Sequence, residues 1–343
     1  MTDGQTHHNT DILRVANISK TYGASRIWPW SRNNGSQLTA LDGVDLDLRR
    51  GEILALVGES GSGKSTLAKI LVGSIQPTSG SLDWDTPPTE QKGRHSARRV
   101  QMVFQDPYSS LNPRLSVRSM LTELLLLHRI VPRSKVSEEC IRLLHQVGLD
   151  EDALEAYPSQ FSGGQRQRLA IARALAVRPD VLIADEPVSA LDVSVQATIL
   201  ELFGSLQREL GLSILFIAHN LAVVQHLSQR VAVMYLGRIV EVAETDEIFS
   251  NPRHPYTRAL IDSIPRMNPG SSNARATIDG EPPSPFDIPS GCRFSPRCAF
   301  ASDECRQIDP KLYDVAADHQ AACIKSMALP PVIVPLAELK EKL

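Results

Sequence analysis

An α/β fold built around a parallel sheet and a phosphate-binding loop is predicted by three stretches of this chain. In the first, the apolar, β-rich run Ile53-Leu54-Ala55-Leu56-Val57 reads as a buried parallel strand. It leads into Gly58-Glu59-Ser60-Gly61-Ser62-Gly63-Lys64-Ser65-Thr66 and a segment of helical spacing from Lys64 to Leu71. In the second, Val181-Leu182-Ile183-Ala184 is a buried strand that ends in Asp185-Glu186. In the third, Leu212 to Ala218 is another apolar strand, with His219 at its C-terminal end. Open α/β sheets place their ligands at that end of their strands.

The first stretch is the most informative. Gly58, Gly61 and Gly63 let the backbone turn tightly and approach a ligand without a Cβ in the way. The helix that follows points the positive end of its dipole at the loop. Strand, glycine loop, Lys64-Ser65 and helix together form a cradle for a nucleoside triphosphate. Backbone N–H groups meet the phosphates, Lys64 reaches the terminal ones, and the Ser65 hydroxyl serves Mg²⁺.

Length and composition bound the remaining possibilities. At 343 residues the chain has room for one large α/β domain with an extension, or for two modest domains. Hydrophobic residues make up 42% and charged residues 22%, ordinary values for a globular protein. A formal net charge of −3 gives no reason to expect nucleic acid as a partner. The first ten residues, with His7 and His8, are polar, read as a solvated tail and hold no secretory signal. The longest apolar candidate, Leu121 to Leu127, is interrupted by Thr122 and Glu123, so no self-contained membrane span is expected.

The chain in order supplies the scaffold. Residues 12–22 read as a strand ending in Lys20-Thr21-Tyr22. The Tyr22 ring is either a core aromatic or a platform for a purine base. Trp28-Pro29-Trp30 begins a loop whose tryptophans pack on the protein's own surface or touch a partner. Leu41 to Leu48 alternates as a half-buried strand, Gln76 to Gly80 reads as a turn, and Asp85 to Gly93 reads as a surface loop. Val100 to Gln105 returns as a strand with Gln105 at its end. From Ser116 to Val147 the pattern is helical, broken at Pro132, an all-helical insertion between strands of the sheet.

A second group of motifs follows. Tyr157 to Gln165, with Ser162-Gly163-Gly164-Gln165 at its end, leads into a helix from Arg166 to Val177; Ser162 is placed to cap it and the glycines are open to an anion. It lies about 100 residues after the phosphate loop. In the acid pair, Asp185 suits the Mg²⁺ shell and Glu186 the activation of an attacking water. His219 is expected to sense the γ-phosphate. Val231–Tyr235 and Ile239–Val242 read as a hairpin around Leu236-Gly237-Arg238.

Five cysteines are spread unevenly. Cys140 stands alone in a helical pattern and reads as a small buried residue. Cys292, Cys298, Cys305 and Cys323 cluster in a Pro-rich segment, separated by five, six and seventeen residues. With no sign of export, a metal site is favoured over disulfides. That segment shows little helix or strand pattern, so a metal staple is expected to order it. Four thiolates suit either tetrahedral Zn²⁺ or a cubane cluster, and gaps wider than the usual zinc pairs favour the cluster.

Taken together, the chain resembles the ATP-binding subunit of an ABC transporter over residues 11–242. Gly58–Ser65 resembles the Walker A loop, Gln105 the Q-loop, Ser162–Gln165 the signature and Asp185-Glu186 the Walker B pair. Ser189-Ala190-Leu191-Asp192 resembles the D-loop and His219 the switch histidine. Phe161 stands where the family usually has Leu, and Asn220 where Asp usually follows the histidine. The resemblance implies a cassette with a P-loop RecA-like core, an antiparallel β subdomain and a helical subdomain near 106–175. The expected divisions are 1–250 for the ATPase domain and 251–343 for a small irregular, cysteine-rich extension.

The resemblance also implies site residues and partners. Tyr22 stacks on adenine. Nucleotide contacts come from Gly58, Ser60, Gly61, Gly63, Lys64, Ser65, Thr66 and Gln105, and, across a head-to-tail dimer, from Ser162, Gly163, Gly164 and Gln165. Ser65, Gln105 and Asp185 hold Mg²⁺; Glu186 and His219 are catalytic. Asn251-Pro252-Arg253-His254-Pro255-Tyr256-Thr257-Arg258-Ala259-Leu260 resembles ATPases of dipeptide and oligopeptide importers, as does Phe104 to Pro113. Similar proteins carry a [4Fe–4S] cluster on the four cysteines, with zinc as the alternative here. The implied partners are a second ATPase subunit (commonly forming a heterodimer), two membrane permeases and an extracytoplasmic binding protein, with the chain peripheral on the cytoplasmic face of the inner membrane. Relatives with this extension also serve nickel and oligosaccharide importers. A soluble ABC ATPase acting on ribosomes or DNA is the weaker alternative, since it normally carries two cassettes or a long coiled-coil insertion.

Overall fold

The buried apolar runs become the strands that carry the site. The computed structural model describes residues 11–23, 37–85, 96–106, 110–264 and 280–329. The Trp28–Trp30 loop, most of the surface loop after Asp85, the residues from Pro107 to Ser109, and both termini lie outside the described residues. The chain divides into two units: Met1–Val15, Leu46–Ile53 and Leu82–Leu215 form the first; Ala16–Asp45, Leu54–Ser81 and Phe216–Leu343 form the second.

Near the N-terminus, β1 (Asp11–Tyr22) follows the strand expected over residues 12–22, and β2 (Leu38–Arg49) extends at both ends the alternating strand expected over Leu41–Leu48. Together with β4 (Ser79–Trp84) they form a three-stranded sheet of order β2-β1-β4. The sequence placed residues 76–80 in a turn and did not anticipate β4. All but two of its residues are exposed, so it lacks the apolar alternation that marks a strand.

In the first unit, β5 (Val100–Val103) pairs in parallel with β6 (Val181–Asp185), Val100 opposite Val181 and Val103 opposite Ala184. The chain between them is helical, as expected: α2 (Val117–Leu127), α3 (Val136–Gln146) and α4 (Gly163–Leu175). Ser116 caps α2 by accepting from the Ser119 N–H at 3.3 Å. α2 packs on α3 and α3 on α4, through Leu121, Leu125, Cys140, Leu143 and Leu144, all fully buried. Glu139 of α3 takes the guanidinium groups of Arg142 and Arg178, which hold its carboxyl down at about 2. α5 (Val193–Leu210) packs against α4.

In the second unit, β3 (Ile53–Val57) pairs in parallel with β8 (Arg230–Tyr235), Leu54 opposite Arg230 and Val57 opposite Val233. β8 turns through Leu236 and Gly237, with φ of 42° and 79°, into antiparallel β9 (Arg238–Glu244). Six further residues, all buried, form β7 (Ser213–Ala218), which crosses the division between the units.

Beyond β9 the structure corrects one expectation. The C-terminal segment is more regular than its sequence suggests. After the short helices α7 (Thr245–Ser250) and α8 (Pro255–Asp262) come β10 (Tyr313–Ala316) and β11 (His319–Ala321). β11 pairs antiparallel with β9, giving the order β10-β11-β9-β8-β3 in this unit. The two strands are too short and too polar to announce themselves, and their order comes from the edge of β9. Beneath the pairing lies Glu241, fully buried, which accepts from the His319 Nε2 at 2.8 Å and from the N–H groups of Arg253 and His254.

Glu241→Ala strips an acceptor from two buried backbone N–H groups and one ring nitrogen. A loss of about 3 kcal/mol of stability is expected, read from the urea unfolding of the full chain. An unchanged midpoint would show that β11 is held by other contacts.

Candidate active site

The phosphate loop grows directly out of β3, whose five residues are all buried. A Cβ on Gly58 would stand 2.1 Å from the Met234 carbonyl oxygen of β8, so only glycine lets the loop pass there. The loop closes on Gly63, the N-cap of α1 (Lys64–Leu71). Lys64 is 4% exposed, and its ammonium donates to the carbonyls of Gly58 at 2.7 Å and Glu59 at 2.9 Å. Ser60, Gly61 and Ser65 are exposed and Thr66 is half-buried, leaving the loop's outer surface open at a helix N-terminus, where an anion is favoured.

Two other residues expected at the nucleotide lie in or beside this unit's strands. Tyr22 ends β1 with 41% of its surface exposed, and Lys20 sits 5.2 Å from its ring centroid. A half-exposed ring of this kind offers a face for stacking. His219 is exposed directly after β7. The Asn220 carboxamide accepts from the Ala222 N–H at 2.9 Å and caps the turn of helix α6 (Leu221–Val224). Asn serves as well as Asp in that capping role, which accounts locally for the departure from the family pattern.

The loop is buttressed from the C-terminal side by residues that sequence reasoning did not assign. The Glu59 N–H donates to the Tyr256 hydroxyl at 2.9 Å. Arg297 meets the Glu59 carboxylate with both terminal nitrogens, at 2.9 and 3.1 Å, and donates to the Tyr235 hydroxyl at 3.3 Å. Tyr235, Tyr256 and Phe294 form an aromatic cluster with ring centroids 4.6 to 5.4 Å apart. Burial pushes both tyrosine hydroxyls up from their ordinary value and pulls His254, which accepts from the Tyr256 N–H, down to about 3. The available signal was positional: Tyr256 lies in the quoted C-terminal motif, and Arg297 adjoins Cys298.

In the first unit the structure gathers three motifs. Asp185 ends β6 and is 8% exposed, while Glu186 follows it with a φ of 48°. The Gln105 amide donates to the Glu186 carboxylate at 3.2 Å and to the Ser189 hydroxyl at 3.3 Å. The Ser189 hydroxyl in turn donates to the Glu186 carbonyl at 3.0 Å. This aims the second carboxylate through an amide that leaves its charge intact. At α4, Ser162 forms a capping box with Gln165, as expected. α4 begins at Gly163, three residues before the expected start. A Cβ on Gly164 would fall 2.4 Å from the Val195 side chain of α5, so the glycine is required by close packing.

Cys140 is fully buried in α3, as expected. Among the described residues, no three His, Cys, Asp or Glu side chains are gathered so as to hold a metal ion. Cys292, Cys298, Cys305 and Cys323 nonetheless all line one cavity of about 20 Å³, with His254, Phe294 and Phe300 among its other walls. Burial raises the thiols of Cys292 and Cys298 and pushes Cys323 up to about 12, and the neighbouring cysteines add to each shift. Four cysteine sulfurs, soft donors once deprotonated, thus face one cavity.

Two protein-family models match the chain: "ABC transporter" over residues 41–189 and "Oligopeptide/dipeptide transporter, C-terminal region" over residues 240–305. The dipeptide transport ATP-binding protein DppF of Haemophilus influenzae is 44% identical over 329 residues, covering 93% of this chain and 98% of its own. DppF of Escherichia coli is 50% identical over 281 residues, covering 80% of this chain and 84% of its own. Among solved structures, cbiO1 from Clostridium perfringens, part of an ABC transporter complex, superposes with a TM-score of 0.58 at 28% identity, covering 70% of this chain and 90% of that one. The dimeric ATP-binding cassette MJ0796, bound to ADP and phosphate, gives 0.56 at 28% identity over 68% and 98% of the two chains. The α/β fold is thus that of the ATP-binding cassette.

Ser162→Ala removes the side-chain acceptor of the α4 capping box. Stability is expected to fall by about 1 kcal/mol, measured by chemical unfolding, with nucleotide affinity of the isolated chain unchanged.

Proposed function

We propose, from the premise that this chain belongs to the ABC transporter ATP-binding proteins with an oligopeptide/dipeptide-type C-terminal region, that it is the ATP-hydrolysing subunit of a peptide importer. The observation that carries this reading is the match to dipeptide-transport ATPases across both the cassette and the C-terminal region. The functional division lies near residue 250, with the cassette in 1–250, its helical subdomain near 106–175, and the extension in 251–343.

In this reading the Gly58–Thr66 loop receives the ATP phosphates and Lys64 neutralises the terminal ones. Tyr22 stacks on adenine. Ser65, Gln105 and Asp185 supply hard oxygen donors that would hold Mg²⁺, whose role is to neutralise phosphate charge. Glu186 takes the proton from the attacking water, its carboxylate aimed by the Gln105 amide at 3.2 Å. His219 contacts the γ-phosphate. Ser162, Gly163, Gly164 and Gln165 complete the site of a second ATPase subunit in a head-to-tail pair, an arrangement supported by the dimeric cassette among the structural neighbours.

Among the described residues no helix is long and apolar enough to cross a membrane. In this reading, which rests on the family, the membrane path belongs to two permease subunits, this chain sits on the cytoplasmic face of the inner membrane, and an extracytoplasmic binding protein delivers cargo. Recovery of permeases with a peptide-binding protein on co-purification is the expected result. Recovery of a nickel- or oligosaccharide-binding protein in its place would overturn the cargo assignment.

Cys292, Cys298, Cys305 and Cys323 are assigned to an iron–sulfur cluster. Support comes from all four lining a single cavity, Cys305 and Cys323 buried and Cys292 and Cys298 half-buried. When bound, the cluster supplies a structural staple for the extension.

Glu186→Gln is expected to keep ATP binding and to lower hydrolysis by ~10²–10⁴-fold, measured in the assembled transporter. Near-normal turnover would remove Glu186 as the base. Protein purified anaerobically should be brown, with about four irons per chain; a colourless preparation with one zinc per chain would replace the cluster by zinc.

A further inference from the structure

Glu59 occupies an unusual place for an acid, inside a loop that receives a triphosphate. Each of its polar groups is engaged. Its N–H donates to the Tyr256 hydroxyl at 2.9 Å, and its carbonyl accepts from the Lys64 ammonium at 2.9 Å and the Ser62 N–H at 3.2 Å. Its carboxylate accepts from both terminal nitrogens of Arg297. The Arg297 side chain is 7% exposed and that of Glu59 26%, so solvent screens the pair only in part. The third guanidinium nitrogen, Nε, is buried with no acceptor among the described residues, which leaves Glu59 and Tyr235 as the groups that hold Arg297.

We propose that Arg297, carried by the C-terminal extension between Cys292 and Cys298, is a positioning residue for nucleotide that acts through charge: it neutralises the carboxylate of Glu59, the residue whose carbonyl accepts from Lys64. The proposal rests on the reading of residues 58–66 as the ATP phosphate loop and deepens it. The physical reason is charge. Without Arg297, a partly buried carboxylate stands uncompensated in a loop meant for a polyanion. The path from Arg297 through Glu59 to Lys64 is made of three direct contacts and needs no rearrangement of the fold. It makes the extension part of the phosphate loop's support and places the cysteine cavity one residue from an arm that reaches that loop.

The test is equilibrium binding of fluorescent ATP, ADP and adenosine analogues to the full chain at low and high salt. Arg297→Gln should weaken ATP by about three- to tenfold at low salt, ADP by less, and adenosine not at all, with the difference shrinking as salt rises. Glu59→Gln added to Arg297→Gln should restore ATP affinity to within about twofold, because the uncompensated charge is then gone. Arg297→Lys should stay near the parent. Should Arg297→Gln fail to fold, Glu59→Gln alone keeps the test alive: it should bind ATP at least as tightly as the parent. The proposal is overturned by an ATP defect in Arg297→Gln that Glu59→Gln does not rescue, by an equal defect for adenosine, or by no defect. Lys64→Ala serves as the separate check, since unchanged ATP affinity there would instead sink the phosphate-loop reading itself.

Discussion

The close approach of the phosphate loop to the end of β8 is the constraint on which the second unit depends. Gly58 passes the Met234 carbonyl with no space for a side chain, and two residues beyond Tyr235 the Gly237 N–H donates to the Ser62 carbonyl at 2.8 Å. The loop is therefore shaped from behind by the β8–β9 hairpin as well as by its own glycines. Leu236 and Gly237 both adopt positive φ to make that contact. A rigid backing of this kind presents backbone N–H groups to an anion without reorganisation at the moment of binding.

The same hairpin is the platform for the C-terminal segment. Arg238 of β9 pairs with both Asp42 and Asp309, and Arg293 reaches the Leu236 carbonyl and Asp42. On the far edge of β9, Glu241 draws in His319 and the backbone at Arg253 and His254. The extension is thus not an appendage joined by one linker. It contacts the hairpin at both Arg238 and Glu241, and its Tyr256 and Phe294 rings pack on Tyr235 of β8.

The first unit solves a different problem, that of aiming a carboxylate. β6 is buried along its length, so the chain must break out of the strand sharply to expose an acid at its end. Glu186 does so with a positive φ, a costly conformation for a residue with a side chain. The Gln105 and Ser189 contacts hold it there, drawing on the end of β5 and the loop after β6. Strain at this point is tolerated where the preceding strand is fully buried and paired in register with β5.

Much of this was legible in the sequence because the information is local. Five apolar residues before a glycine loop, a Ser and Gln three apart at a helix start, and an apolar run ending in two acids each specify their own backbone through burial, capping or turn chemistry. What the sequence did not reveal is non-local. β4, β10 and β11 exist because a neighbouring edge offers hydrogen bonds to residues with weak preferences of their own. Arg297 lies 238 positions from Glu59 in the chain, and nothing in either residue's surroundings names the other. Local pattern determined the strand, loop and cap that each candidate nucleotide motif sits on, and the order of those motifs along the chain. Only the tertiary structure decided that the extension returns to the phosphate loop, because an ion pair across that span is set by where the sheet brings the chain ends and not by any periodicity the chain carries.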